Sequence, residues 1–252
     1  NFCAYIAVGV WHHYQITGDT RFLNRMWPVV WSAMELVLTF QRPDGAFRWG
    51  GDASGAKFNE AQITGNASIF QALDCAIRIA AEMGQPEEDF VAAHAALAAA
   101  FDDRMDTAFE PPSEHSMDWY YPVLGGALRG ERAQRHIADR WDEFVVPGKG
   151  ARCVHHRPWV TGAETSELAL ALDALGDTAD AITLVESIQH LRDPDGSYWT
   201  GLVFSDGKRW PVEKSCWTSA AVVLAADAIS RTSAANGIFR DSVGSAVRSG
   251  SA

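Results

Sequence analysis

Apolar residues recur at intervals of three and four along most of this chain, the spacing that places them on one face of an α-helix. No long alternation of apolar and polar residues, which would predict a half-buried strand, competes with this pattern. Glycines such as Gly18, Gly84, Gly130 and Gly176 end successive stretches, as in helix hairpins joined by short turns. The pattern predicts about nine helices, at about 1–16, 25–41, 65–84, 87–105, 117–128, 131–143, 162–176, 178–191 and 215–231.

One turn motif occurs twice, roughly 150 positions apart. Residues 41–49 read Gln-Arg-Pro-Asp-Gly-Ala-Phe-Arg-Trp, and residues 192–199 read Arg-Asp-Pro-Asp-Gly-Ser-Tyr-Trp. Proline fixes φ, aspartate forms an Asx-turn and glycine supplies a positive φ, so Asp44 and Asp195 are predicted to serve tight turns after helices. The spacing indicates a stack of helix pairs of about 50 residues each, of which around five fit in the chain.

Three long loops, at 42–64, 144–161 and 192–214, carry much of the chain's tryptophan and charge. Loops of this length are commonly functional. Residues 232–252 are rich in serine, alanine and glycine and have little to bury, so they are predicted to form a disordered tail after a folded domain at 1–231.

The composition excludes several classes of partner. With 252 residues and 47% hydrophobic content, the chain is predicted to be a soluble globular protein. A net charge of −11 argues against binding to nucleic acid or to an anionic membrane, and no apolar run is long enough to span a bilayer. The four cysteines are far apart, which predicts reduced core thiols in a cytoplasmic protein. No metal or cofactor is predicted, and a homo-oligomer stays open.

Glu164 is the acid that the sequence favours most for catalysis. It lies in the first turn of a predicted helix, after a loop that holds Arg152, His155 and Trp159. The same position also fits a capping box, in which Thr161 is the N-cap and Glu164 bonds back to its amide. Structural capping and catalysis both remain open for this residue.

A second acid, Asp118, stands beside Trp119, Tyr120 and Tyr121 at the start of a short helix. Aromatic rings that pack on the apolar faces of sugars, with carboxylates on the hydroxyls, form sites of this kind. The alternative is an aspartate favoured by the helix dipole next to core aromatics.

Charges and indoles are also combined near residue 215. Glu213 and Lys214 precede a helix that carries Trp217, which fits either a surface ion pair beside the cap or a sugar contact. Asn66 lies at the start of the 65–84 helix in a similar setting.

Two other features invite a metal interpretation that the sequence does not favour. His12 and His13 have no acidic or cysteine partner at ligand spacing. Residues 102–106 read Asp-Asp-Arg-Met-Asp, the DDxxD pattern with which prenyl-diphosphate enzymes hold magnesium, but no second cluster accompanies it. A solvated helix end explains this segment better.

The Pro-Asp-Gly turns followed by an aromatic resemble the repeats of terpenoid cyclases and protein prenyltransferases, which are α/α toroids. The DxDD acid of the cyclases and the zinc ligands of the prenyltransferases are missing, so their chemistry does not carry over. A longer resemblance covers about residues 1–240. It is to an actinobacterial family often labelled prenyltransferase-like, which is similar to the mycobacterial methylmannose polysaccharide hydrolases. The stretches that carry it are 3–14, 116–130, 157–165 and 195–201.

This resemblance implies an all-α fold, an α/α toroid of the six-hairpin type with about five hairpins in this chain. It also implies an endo-acting α-mannosidase of the cytoplasm with a pair of catalytic carboxylates. One of them falls on Glu164 by motif. The other belongs to an Asp-Pro-Trp-Asn-His type of segment upstream of Asn1, so we expect the chain to lack its N-terminal hairpins.

The first hypothesis is therefore a glycoside hydrolase acting on an α-mannan-type oligo- or polysaccharide, with Glu164 catalytic. One alternative is an isoprenoid-handling transferase or cyclase that uses the Asp102 cluster, and another is a carbohydrate-binding protein without catalysis. The side chains expected to contact sugar are Tyr5, Asn66, Asp118, Trp119, Tyr120, Tyr121, Arg152, His155, Trp159, Trp199, Glu213 and Trp217.

Overall fold

A computed structural model of the chain describes residues 1–241. These residues are predominantly α-helical, as predicted. The helices are α1 (Ile6–Thr17), α2 (Thr20–Leu38), α3 (Ile63–Met83), α4 (Glu88–Asp103), α5 (Met105–Ala108), α6 (Met117–Leu124), α7 (Gly130–Asp139), α8 (Trp141–Phe144), α9 (Gly162–Ala174), α10 (Thr178–Ser187) and α11 (Cys216–Ser230). The strands are β1 (Val145–Val146), β2 (Gly150–Arg152), β3 (Trp159–Thr161), β4 (Gly201–Val203) and β5 (Lys208–Arg209).

Every predicted helix has an observed counterpart, but some boundaries differ. Helix α2 begins earlier than predicted because Asp19 caps it, accepting hydrogen bonds from the backbone N–H of Arg21 at 2.9 Å and of Phe22 at 3.0 Å. The predicted helix at 87–105 is broken at Arg104, and the one at 131–143 is broken at Arg140. Both arginines leave helical backbone geometry, with φ of −138° and −123°.

The five short strands were absent from the prediction. They pair in the order β1-β2-β3-β4-β5, all antiparallel, with Ala151 opposite Thr161 and Thr161 opposite Gly201. Strands of two or three residues are too short to show the alternation that predicts a strand. The sheet is built from the long loops at 144–161 and 192–214.

The described residues form two compact units. One comprises 1–111 and 125–128, with Asp241, and in it α1 packs against α2 and α3 while α3 also packs against α4. The other comprises 112–124 and 129–240, and α9 is its central helix, packed against α6, α10, α11 and β2. Every residue from 162 to 173 is buried, so α9 is a core helix covered on all sides.

The repeated turn is confirmed in both copies. Asp44 accepts from the backbone N–H of Ala46 at 3.2 Å, and Asp195 accepts from that of Ser197 at 3.0 Å. The glycine that follows has a φ of 89° in each copy. At Gly45 a side chain is excluded for a second reason, because a Cβ there would lie 2.2 Å from the carbonyl oxygen of Ala96 in α4.

The predicted disordered tail is wrong for its first part. Residues 232–240 belong to the second unit, where Ala235 and Phe239 are buried. The carboxylate of Asp173, only 2% exposed, pairs with the guanidinium groups of Arg231 at 2.8 Å and Arg240 at 2.7 Å. The rest of the predicted tail, 242–252, lies outside the described residues.

The cysteines fit the prediction only in part. Cys75 and Cys153 are buried free thiols, whereas Cys3 and Cys216 are free but exposed, so the expectation of four core thiols is wrong. Within residues 1–241, none of the helices combines the length and the apolar composition needed to cross a membrane.

Candidate active site

The start of α9 places Glu164 inside the second unit. Strand β3 runs directly into α9, and Gly162 lets the helix approach α11 closely, since a Cβ at this position would lie 2.8 Å from Cγ2 of Thr218. The backbone N–H of Gly162 donates to the carbonyl of Thr200 at 3.0 Å. Glu164 thus lies in the first helical turn and is only 6% exposed.

The capping box, one of the two interpretations of this position, lacks its Thr161 hydrogen bond. Thr161 has the extended backbone of an N-cap, but its side chain makes no cap hydrogen bond, and its hydroxyl is buried without a partner. Glu164 instead accepts a hydrogen bond from the thiol of Cys153, the residue that follows β2. Burial, followed by the negative charge of Glu164, raises the pKa of Cys153, so the thiol stays protonated as the donor.

A second buried carboxyl group, Glu167, lies one turn further along α9 on the same face. The phenol of Tyr120 donates to its Oε2 at 2.6 Å. Its Oε1 accepts from the phenol of Tyr121 at 3.3 Å and from the indole N–H of Trp217 at 2.9 Å. Sequence reasoning missed this residue, although its spacing of three from Glu164 is a signal that was available.

Burial raises the pKa of Glu167 to about 7, with the charge of Glu164 as the next cause, while its three donors lower it. Burial and the charge of Glu167 raise the pKa of Tyr120 well above its usual value, so the phenol remains a donor. Glu164 and Glu167 are therefore two buried carboxyl groups one helical turn apart, and the charge of Glu164 contributes to the raised pKa of Glu167.

Four of the predicted sugar contacts lie on α6 and α11, three of them in contact with Glu167, and two of the four are buried. Trp119 is 1% exposed, stacks on Phe144 and donates its indole N–H to the carbonyl of His136 at 3.0 Å. The prediction that Trp119 contacts sugar is therefore corrected, because it is a core residue. Tyr120 is 0% exposed and reaches Glu167 rather than the surface.

Tyr121 and Trp217 remain accessible. Tyr121 is partly buried, and Trp217 is 49% exposed while its indole N–H is held by Glu167. A half-exposed indole fixed at one edge presents its ring to a ligand with little loss of side-chain freedom.

A second group of predicted contacts lies on and beside the sheet. Trp159 packs edge-on against Trp210 and donates its indole N–H to the carbonyl of Trp210 at 2.7 Å. The ammonium group of Lys214 lies 5.0 Å from the ring centre of Trp199 and pairs with Asp195 at 3.3 Å. Lys214 also pairs with Asp193, so its ammonium group forms surface ion pairs with two aspartates, and no ion pair joins it to Glu213 among the described residues.

Glu213 also belongs to this sheet region. Its exposed side chain accepts from the hydroxyl of Thr200 at 3.4 Å, and its carbonyl accepts from the N–H of Thr200 at 3.1 Å. The carboxylate therefore has free positions towards solvent.

Three more of the predicted sugar contacts make hydrogen bonds within the protein, namely Asp118, Arg152 and His155. Asp118 accepts from the backbone N–H of Ser113 at 2.8 Å. Arg152 donates to the carbonyl of His155 at 2.6 Å, and its guanidinium lies 5.5 Å from the ring centre of Phe204.

Tyr5 and Asn66 belong to the other unit. The phenol of Tyr5 donates to Gln71 at 2.9 Å. Asn66 is 1% exposed and holds the segment after the first Pro-Asp-Gly turn, accepting from the N–H of Phe47 at 2.7 Å and donating to its carbonyl at 2.9 Å. The prediction that Asn66 contacts sugar is corrected, because its amide is used up inside the protein.

The DDxxD segment does not lie on one helix. Asp102 and Asp103 end α4, Arg104 breaks the helix, and Asp106 belongs to α5. All four are exposed. This geometry does not align the three carboxylates on one helical face, so the segment does not favour an isoprenoid enzyme.

Comparison with known proteins identifies a close relative. The chain is 55% identical over 240 residues to the MMP endo-(1,4)-3-O-methyl-alpha-D-mannosidase of Mycolicibacterium hassiacum, an alignment that covers 95% of this chain and 66% of the relative. The chain thus spans slightly less than two thirds of the length of that mannosidase. No family model matches the sequence.

Two solved structures share the fold. One is a glycosidase carrying a Glu-to-Ala substitution, in complex with glucose, and it aligns with a TM-score of 0.63 over 82% of this chain and 61% of its own. The other is a glycosidase carrying a Phe-to-Tyr substitution, with a TM-score of 0.63 over 86% and 62%. At 16% identity, both comparisons concern the fold alone. By its 55% identity along nearly its whole length, the chain belongs to the family of the M. hassiacum mannosidase.

Proposed function

We propose that this protein is a glycoside hydrolase that cleaves internal α-mannosidic bonds of a methylated mannan-type polysaccharide, with Glu164 as a catalytic carboxyl group. The observation that carries the proposal is the state of Glu164. Its carboxyl group is almost completely buried at a helix start and is not used for capping, in a chain 55% identical to a mannosidase.

Hydrolysis of a glycosidic bond requires one carboxyl group to protonate the leaving oxygen and another to activate water or attack carbon. Glu164 can serve in either role. Glu167 is not its partner, because both of its oxygens are already occupied by donors from the protein. In this proposal another residue contributes the second carboxyl group.

Glu167 acts as a positioning residue in this proposal. It accepts from Tyr121 and Trp217, the two aromatics near the pair that keep exposed surface. Fixing the edge of the Trp217 ring orients its face for stacking against a sugar. O-methyl groups make a sugar more apolar, so an indole platform favours a methylated mannan over an unmethylated one.

The sheet supplies further contacts. Trp159 and Trp199 lie on or beside β3 and β4, and the exposed carboxylate of Glu213 can accept hydrogen bonds from sugar hydroxyls. Several subsites in a row are what an enzyme that cuts inside a chain requires, because it must hold sugars on both sides of the broken bond.

The test is to incubate the full-length protein with 3-O-methylated α-1,4-mannan oligosaccharides and with unmethylated ones of equal length, and to follow product sizes by mass spectrometry. We expect medium-length fragments to appear first from the methylated series. Release of single mannose units only, or binding without any product, would overturn the proposal and favour an exo-enzyme or a carbohydrate-binding protein, respectively.

A further inference from the structure

We propose that Glu114, His155 and His156 form a binding site for a divalent transition-metal ion of the zinc type. Each of these residues offers one ligand atom, and the three atoms lie within 4.8 Å of one another. Nδ1 of His156 lies 3.4 Å from Oε2 of Glu114. Two imidazoles and one carboxylate are a donor set that zinc accepts, with water completing the coordination.

Metal binding would require only a small shortening of the distances between the three ligand atoms. Ligand atoms about 2.0–2.1 Å from a tetrahedral zinc ion are roughly 3.4 Å from one another, which the His156–Glu114 pair already matches. All three side chains are at least partly exposed, so rotation about their side-chain bonds can close the remaining gaps.

The backbone that carries the ligands is fixed before any metal binds. The N–H of His155 donates to the carbonyl of Glu114 at 3.1 Å, and the N–H of Ser116 donates to that of Cys153 at 2.9 Å. His115 and Val154 form an antiparallel bridge between these bonds. The two segments are therefore held side by side, which reduces the entropy lost when the metal binds.

An outer carboxylate supports one ligand. Oε1 of Glu143 lies 3.5 Å from Nδ1 of His155, and Glu143 is held by Arg140 through two hydrogen bonds of 2.7 and 2.6 Å. Metal-binding histidines commonly direct their second ring nitrogen to a carboxylate, which fixes the ring and its tautomer. Nδ1 facing Glu143 leaves Nε2 of His155 for the metal.

A metal here would join two segments that lead to the candidate active site. Glu114 precedes α6, which carries Tyr120 and Tyr121, and His155 lies two residues after Cys153. The ion would thus have a structural role, cross-linking the start of α6 to the turn between β2 and β3. His155 then serves as a metal ligand rather than as the sugar contact that the sequence predicted.

The test is calorimetric titration of zinc chloride into the chelator-treated protein. Cys3 and Cys216 are exposed thiols that could bind zinc themselves, so both are replaced by serine in every sample. We expect one zinc ion per chain, and at least tenfold weaker binding in Glu114→Gln and in His156→Ala. Zinc should raise the melting temperature of the parent protein by several degrees, and of these variants by less.

His13→Gln is the matched control, because it removes an exposed histidine from the other unit. Circular dichroism of each variant verifies that it is folded. Cobalt(II) serves as a second probe, since imidazole and carboxylate ligands give a visible spectrum without a thiolate charge-transfer band. The proposal fails if zinc does not bind, if both site variants bind as tightly as the parent, or if His13→Gln weakens binding equally.

Discussion

The indole Nε1 of Trp217 donates a hydrogen bond of 2.9 Å to Oε1 of Glu167 and so joins a half-exposed aromatic on α11 to a buried carboxyl group on α9. The bond gives Glu167 a role that its burial alone would not suggest. A carboxyl group in the core is costly, and this one is satisfied by hydrogen bonds from Tyr120, Tyr121 and Trp217.

Removing the indole N–H of Trp217 should lower the free energy of unfolding most when Glu167 is charged. Trp217→Phe keeps an aromatic ring but loses the indole N–H, so we expect the free energy of unfolding to fall by about 1–3 kcal/mol at pH 8 and by less at pH 5. Urea unfolding measures both. Trp210→Phe, at an indole that is 56% exposed, is the control and should change stability little at either pH. Equal losses in the two variants would contradict this role for Trp217.

Glu167 should also shape the pH dependence of stability. Its folded pKa of about 7 lies above the usual 4.5, so the folded state holds the extra proton between these values. The contribution of Glu167 to the free energy of unfolding is therefore largest below pH 4.5, declines as the pH rises and levels off above pH 7. Between pH 5 and pH 8 the free energy of unfolding of the parent protein should fall. In Glu167→Gln we expect this fall to be about 2–3 kcal/mol smaller.

Guanidinium unfolding at several pH values measures that slope. The control is Glu186→Gln, at an exposed glutamate of α10, which should leave the slope as in the parent. A slope unchanged in Glu167→Gln would mean that Glu167 is not protonated near neutral pH in the folded protein.

Replacing Asn66 shows whether its amide stabilises the fold or binds a ligand. Asn66→Ala leaves the buried N–H and carbonyl of Phe47 without partners, so we expect a loss of roughly 2–4 kcal/mol in stability. Asn24→Ala removes an exposed amide that donates to the carbonyl of Thr20, and it should cost much less. If Asn66→Ala kept full stability but lost sugar binding, the original sequence-based interpretation would be restored.

The packing of segment 232–240 should depend on the ion pairs of Asp173 with Arg231 and Arg240. Asp173→Asn removes a buried charge that faces two guanidinium groups, and we expect a loss of about 3–5 kcal/mol. Limited proteolysis should then cut after Arg231 or Arg240 sooner than in the parent. Cleavage at an unchanged rate would show that the ion pairs do not hold this segment.

The features that the sequence predicted correctly are those set by local chemistry. The helices follow from periodicity, and both Pro-Asp-Gly turns follow from the conformations that Asp44 and Asp195 with their glycines adopt. The position of Glu164 in a first helical turn also follows from local pattern.

The features that the sequence did not predict depend on contacts between distant segments. Glu167 is recognised as a site residue only from its hydrogen bonds with Tyr120 and Trp217, which are distant in the sequence. Asn66 looked like a helix-start polar residue, and only its contact with Phe47 shows that it is structural. Glu114 lies far along the chain from His155 and His156, so no ligand spacing revealed the three together.

The central claim, that Glu164 is a catalytic carboxyl group, is tested most directly by the turnover of Glu164→Gln on a methylated mannan oligosaccharide. The substitution keeps the size of the side chain and removes its ability to give or take a proton. We expect kcat to fall by roughly 10²–10⁴-fold, with the dissociation constant of the oligosaccharide nearly unchanged by calorimetry. Product release by Glu164→Gln at the rate of the unmodified protein would contradict the account.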